Sequence, residues 1–203
     1  MCVVLLLIFI LVPVASLAAQ AHDYAAWSKK NLDGSWTRIT EVAVATSSLP
    51  SLVPKDIGKF CPAYKHLPRK KRIRFWVGLL SSMAEFESTF NPEAAARGPS
   101  KDVFSRRQGI NRGLLQISKE SANQPGYSCG IEKAKHLYDP AIHLPCAVKI
   151  LSTWVSADRV IASYKGNKKT RGGGRYWAVL QEKNGRLSAI SSFTRNLSFC
   201  RKD

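Results

Sequence analysis

Between Arg72 and Ser88 the apolar residues fall on one helical stripe. Trp76, Leu80 and Met83 follow at spacings of four and three, and Phe75, Leu79 and Phe86 widen the face. The next position on that line is a carboxylate, Glu87, and Asn91-Pro92 ends the helix. A second helix is predicted from Pro140 to Ser156, with Leu144, Val148, Leu151 and Val155 on its apolar face. Asp139-Pro140 supplies its start signal, because proline suits the first helical turn. A further helical piece is expected over about Ala157 to Ser163, and another over Arg175 to Gln181. The Gly172-Gly173-Gly174 run between them reads as a loop. Strand signals are few and short, so the pattern predicts a mainly α fold.

The ends of the chain change that picture. Val3 to Val12 is an unbroken apolar run, too short to span a bilayer comfortably, followed by Pro13 and small residues. Ala19-Gln20-Ala21 fits a cleavage site, with Ser16-Leu17-Ala18 as a second option, so residues 1–21 read as a signal peptide. No Lys or Arg precedes the run, and an uncleaved membrane anchor is the alternative. In either case the rest of the chain is expected outside the cytoplasm, periplasmic or secreted. Residues 22–50 read as an N-terminal extension, with Thr46 to Ser51 as a linker, and residues 51–203 as the catalytic domain.

The first 21 residues carry no charge, so the mature protein holds the whole net charge of +17. Such a surface favours an anionic partner. The basic runs Arg69 to Arg74 and Lys168 to Arg171 would suggest nucleic acid in a cytoplasmic protein. In an exported one they fit wall anions or a solvated basic face, and no nucleic-acid partner is expected. Cys2 falls within the signal. Cys61, Cys129, Cys146 and Cys200 form an even set, and an exported chain would oxidise them to two disulfides. Three connectivities are open. The expected one is Cys129–Cys146, closing a short loop, with Cys61–Cys200 tying the ends of the domain. His22, His66, His136 and His143 are scattered, with no metal-ligand spacing. Neither a metal nor an organic cofactor is expected, and the protein is expected to be a monomer.

Glu87 carries the chemistry. A carboxylate against an apolar face is desolvated when ionised, so its pKa rises, and a carboxylic acid protonated near neutral pH can protonate a leaving oxygen. Its context supports that role. Glu87-Ser88-Thr89-Phe90-Asn91-Pro92-Glu93-Ala94 resembles the E-S-x-F-N-P-x-A motif of the soluble lytic transglycosylases, members of the lysozyme-like superfamily. Gly113-Leu114-Leu115-Gln116-Ile117 resembles their G-L-M-Q-I motif, and Ala162-Ser163-Tyr164-Lys165-Gly166 resembles a degraded A-A-Y-N-A-G. The motifs occur in the family's order, and the likeness covers roughly residues 72 to 180.

The resemblance implies a lysozyme-like fold of mainly α (α+β) type, with a catalytic helix and a cleft. It also implies an enzyme that cuts the peptidoglycan glycan strand between N-acetylmuramic acid and N-acetylglucosamine. Glu87 would be the catalytic acid and then base. Ser88 would shape the catalytic turn, Gln116 would bond a sugar, and Tyr164 would point its hydroxyl at the carboxylate. Lys165 stands where the family has Asn, so Asn167 or Tyr176 could take over part of that contact. Tyr176 could offer its ring to a sugar, whereas Trp177 reads as core. The segment from Ala95 to Arg112 could form a β-hairpin or lid. It contains Asp102, a candidate second carboxylate that could activate water, although beside Lys101 it reads first as a solvated loop residue. Transglycosylase is preferred to hydrolytic lysozyme because no clear second carboxylate is present. The competing class is a non-catalytic basic protein that binds glycan or another polyanion on the same scaffold.

Overall fold

The computed structural model describes residues 23–101 and 108–201. The expected signal peptide, His22 and Asp102 lie outside the described residues.

The apolar stripe read from the sequence is the buried centre of the molecule. The helix runs Arg69–Ser88, three residues longer at its start than predicted. Every residue from Phe75 to Ala84 is buried, so the helix is enclosed on all sides in mid-length. Its two serines survive burial by local pairing. Ser82 donates to the Leu79 carbonyl, and Ser81 donates to Gly78 while accepting the Ala26 amide.

In chain order the described α-helices are α1 (Ser35–Thr46), α2 (Ile57–Phe60), α3 (Arg69–Ser88), α4 (Lys119–Ala122), α5 (Pro140–Asp158) and α6 (Leu187–Arg195). Helix α1 packs on α3 and α5, and α6 packs on α2 and α3. Strands β1 (Ala95–Lys101) and β2 (Gln108–Arg112) form an antiparallel hairpin between α3 and α4. The register pairs Ala95 with Arg112 and Arg97 with Ile110, then breaks before Lys101 pairs with Gln108. The segment expected as a hairpin or lid is therefore a hairpin.

Four expectations change. The region before residue 51 is part of the fold rather than an extension. Trp27, Val44 and Leu49 are fully buried in the same core as α3, and the Trp27 indole donates to Thr37. No further helix follows over Ala157 to Ser163, whose first two residues belong to α5. Helix α5 ends at Asp158, where Arg159 turns left-handed (φ 58°). The triple glycine is a buried 3-10 turn, Gly172–Arg175, rather than an open loop. Gly172 has φ +55°, and a Cβ there would lie 2.3 Å from the Val160 carbonyl, so only glycine fits. Beyond it, Arg175 to Gln181 holds only the short 3-10 turn Ala178–Leu180.

Both expected disulfides are present. Cys129–Cys146 fastens the loop after α4 to α5, and Cys61–Cys200 joins the end of α2 to the C-terminal turn. Among the described residues no helix is long and apolar enough to cross a membrane. No group of three or more His, Cys, Asp or Glu is arranged there to hold a metal.

Candidate active site

Glu87 lies in the last turn of α3. The helix stops abruptly after it. Thr89 and Phe90 both adopt left-handed backbone (φ 52° and 60°), which is unfavourable for β-branched and bulky residues. The Thr89 and Phe90 amides close the helix end on the Glu85 and Ala84 carbonyls, and Asn91 Oδ1 accepts the Glu93 amide to start the next turn. The left-handed pair redirects the chain sharply and leaves Glu87 at the edge of the core. No described residue gives Glu87 a hydrogen bond or ion pair. Burial alone pushes its pKa up to about 7, so the carboxyl is half protonated at neutral pH.

The second motif packs directly against this helix end. Ser88 Oγ donates to the Leu114 carbonyl at 2.9 Å, tying the residue next to Glu87 to the turn Gly113–Gln116. Gln116 is the third left-handed non-glycine here, with φ 48°. Its side-chain amide donates to the Gly113 carbonyl at 2.9 Å and the Ala94 carbonyl at 3.2 Å. The nitrogen end therefore fastens the turn, and Oε1 is left without a described partner. Two more side chains hold the same turn. The Trp177 indole donates to the Leu115 carbonyl at 2.8 Å, and His143 Nε2 accepts the Leu115 amide at 2.9 Å. Trp177 is core, as expected, but it is a core residue with a post at the active turn.

The third motif is arranged differently from expectation. The Tyr164 hydroxyl points to Asp56, donating to Oδ2 at 3.1 Å, and not to Glu87. Asp56 also accepts the Ile161 and Ala162 amides at 2.8 and 3.0 Å. The ammonium of Lys59 sits over the Tyr164 ring at 3.7 Å. Asp56 was not foreseen, because it lies more than a hundred positions from its partners and no local motif marks it.

Tyr176, rather than Tyr164, is the tyrosine that feels the charge of Glu87. Burial raises its hydroxyl far above the ordinary phenol range, and the charge of Glu87 adds to the effect. Its hydroxyl shares a hydrogen bond with Ser121 of α4. From Tyr176 a run of rings leads outward. Tyr127 packs edge-on to Tyr176, Trp154 packs on Tyr127, and the Arg175 guanidinium covers Trp154 at 4.7 Å. Asn167 lies further along, beside Lys168, Lys169, Arg171 and Arg175, on an open groove of about 450 Å³.

The basic run at the start of α3 is largely structural. Arg69 donates to the Ala45 carbonyl, Arg72 donates to Leu67 and Lys65 carbonyls, and Arg74 covers the Tyr24 ring.

A desolvated glutamic acid on a helix end, braced by a Gly-Leu-Leu-Gln turn, is an arrangement compatible with acid catalysis at a glycosidic bond. The sequence matches the Transglycosylase SLT domain over residues 68–170, and the chain belongs to that family. It is accordingly a peptidoglycan-acting enzyme of the lytic transglycosylase and lysozyme kind. Among solved structures it is similar to a Glu-to-Gln mutant of Bd0314 DslA, at 35% identity and TM-score 0.81, covering 90% of this chain and 100% of that one. The wild-type form 2 of Bd0314 DslA gives 37% identity and TM-score 0.80, over 87% of this chain and 97% of that one. Comparison with curated proteins gives no match.

Proposed function

We propose that the protein is an exported, monomeric lytic transglycosylase, and that Glu87 alone acts as its acid and base. The observation that supports this most is the state of Glu87: half-buried, without a partner among the described residues, and half protonated near pH 7. A glycan strand would lie across the helix end, over the Gln116 turn and along Tyr176. Protonated Glu87 gives its proton to the oxygen linking N-acetylmuramic acid to N-acetylglucosamine. Positive charge develops at the anomeric carbon, where the neighbouring N-acetyl oxygen can stabilise it. Ionised Glu87 then takes the proton from the sugar's own primary hydroxyl as that oxygen closes on the anomeric carbon. The product ends in anhydro-muramic acid, and Glu87 is protonated again for the next cycle. Gln116 Oε1 and the Tyr176 ring are the groups best suited to hold the sugars.

Export is supported by the apolar run Val3 to Val12 and by two disulfides, which persist in an oxidising compartment. The test is mass spectrometry of purified sacculi digested by the wild type and by Glu87→Gln. Anhydro-muropeptides from the wild type and none from the variant are expected. Reducing ends would make the enzyme a hydrolase and would bring Asp102 forward as the group that activates water. Undiminished release by Glu87→Gln would remove the catalytic assignment altogether.

A further inference from the structure

We infer that His143 is a positioning residue of the active site: its neutral ring, with the proton on Nδ1, holds the Leu115 amide and so fixes the Gln116 turn beside Glu87, and protonation of that ring releases the turn. This rests on the reading of Glu87 as the catalytic acid.

The geometry allows one tautomer. His143 Nε2 accepts the buried Leu115 amide at 2.9 Å, so Nε2 carries no proton and Nδ1 must carry it. Nδ1 is turned toward the Leu137 carbonyl in a contact that favours the charged ring somewhat but falls short of a well-formed hydrogen bond. The ring is also tightly boxed. A Cβ on Gly113 would lie 2.6 Å from His143 Nδ1 and 2.2 Å from the Leu137 carbonyl oxygen, so ring and turn are pressed together and Gly113 (φ +75°) has to be glycine.

The turn needs such fixing. Gln116 holds a left-handed backbone that a glutamine does not choose by itself, and it persists only where the surroundings over-determine it. Ser88 holds the Leu114 carbonyl, Trp177 the Leu115 carbonyl and His143 the Leu115 amide. Of these three posts, only His143 can titrate.

Burial pulls the His143 pKa down to about 4, with the Leu137 carbonyl acting in the opposite sense. Among the described residues no charged group is a cause of its shift. On its own helix Asp139 accepts the Ala141 amide and Lys149 donates to the Ser128 carbonyl. Arg112, ahead of the turn, donates to the Ile110 carbonyl. Lys135 and His136 on the preceding 3-10 turn, and Glu87 and Glu93 across the turn, add nothing to it. Once protonated, Nε2 becomes a donor facing a donor, and the Leu115 amide loses its acceptor inside the core.

The consequence is a pH profile with two unlike limbs. A mechanism with one acid requires Glu87 protonated, so activity rises as pH falls through about 7 and then stays level. A second loss toward pH 4 must come from another group, and the structure assigns it to His143.

The experiment compares wild type, His143→Gln and His143→Leu on soluble glycan strands from pH 3 to 9, with near-UV circular dichroism at each pH. The glutamine carbonyl can accept the Leu115 amide at any pH, and leucine cannot. The wild type should lose activity about tenfold per pH unit below about 4 while its near-UV signal holds. His143→Gln should keep most of the neutral activity and lose the acid limb. His143→Leu, where it folds, should lower kcat at least about tenfold at neutral pH with KM little changed. An unaltered acid limb in His143→Gln overturns the inference, and so does a wild-type limb that coincides with loss of the near-UV signal. An inactive wild type would instead defeat the catalytic reading itself.

Discussion

Two carboxylates, Asp158 buried and Glu87 half-buried, end two long helices in opposite states. Asp158 closes α5 with a full set of partners. It accepts the Gly172 amide at 2.7 Å and two donors of Arg175 at 2.7 and 2.9 Å. Arg175, more than any other neighbour, holds its pKa below the usual carboxylate range. Glu87 closes α3 with no described partner, and burial holds its pKa at about 7. A carboxylate that serves the fold is hydrogen-bonded and kept ionised. One that serves proton transfer is desolvated and left unpaired. Asp56, bonded to two amides and the Tyr164 hydroxyl, belongs with Asp158.

Substitution at the two helix ends should separate activity from stability. Glu87→Gln should lower glycan cleavage by on the order of a thousandfold, the size of a lost general acid, as measured by release of soluble muropeptides. The same variant should be more stable than the wild type at pH 8. The sign follows from a folded pKa above the unfolded one: the stability present below pH 4.5 is lost as pH rises through about 7. The gain should be about 3 kcal/mol at pH 8 and vanish below pH 4.5, read from urea unfolding.

The joint replacement of Cys61 and Cys200 by serine should cost about 4 kcal/mol, because the closed loop spans most of the domain. Asp158→Ala should cost about 2–3 kcal/mol and leave kcat nearly unchanged, since it strips partners from Arg175 and the buried Gly172 amide. The stabilising role of Asp158 should be present above the unfolded carboxylate range and fade as pH falls through its depressed pKa. Tyr176→Phe has the smallest expected effect, a loss of activity below about tenfold, since the ring stays and only the bond to Ser121 goes. A larger loss would move Tyr176 from sugar contact toward proton transfer.

How far the sequence shows this contrast depends on the distance over which each feature is written. The acid helix and its Asn91-Pro92 stop are local patterns, and they lie where the pattern predicts. The two disulfides are the expected pairs, although the four cysteines by themselves leave three connectivities open. The N-terminal region was harder, because its inward face carries threonines. Thr37 and Thr40 are fully buried and paired with Trp27 and the Trp36 carbonyl, so a polar-looking segment is core. The orientation of Tyr164 was hidden for another reason: its partner Asp56 sits in a loop with no motif. His143 had the weakest signal, a lone histidine on an apolar helix face, one position before Leu144. Its importance appears only where Leu115 and Gly113 meet it.

The central claim is that Glu87 is kept protonated by desolvation. Its most direct test is a carbon-13 NMR titration of glutamate side-chain carboxyls, with the Glu87 signal assigned by its absence in Glu87→Gln. The account predicts one glutamate titrating near pH 7. A Glu87 midpoint near 4.5, the value of a solvated glutamate, would contradict it.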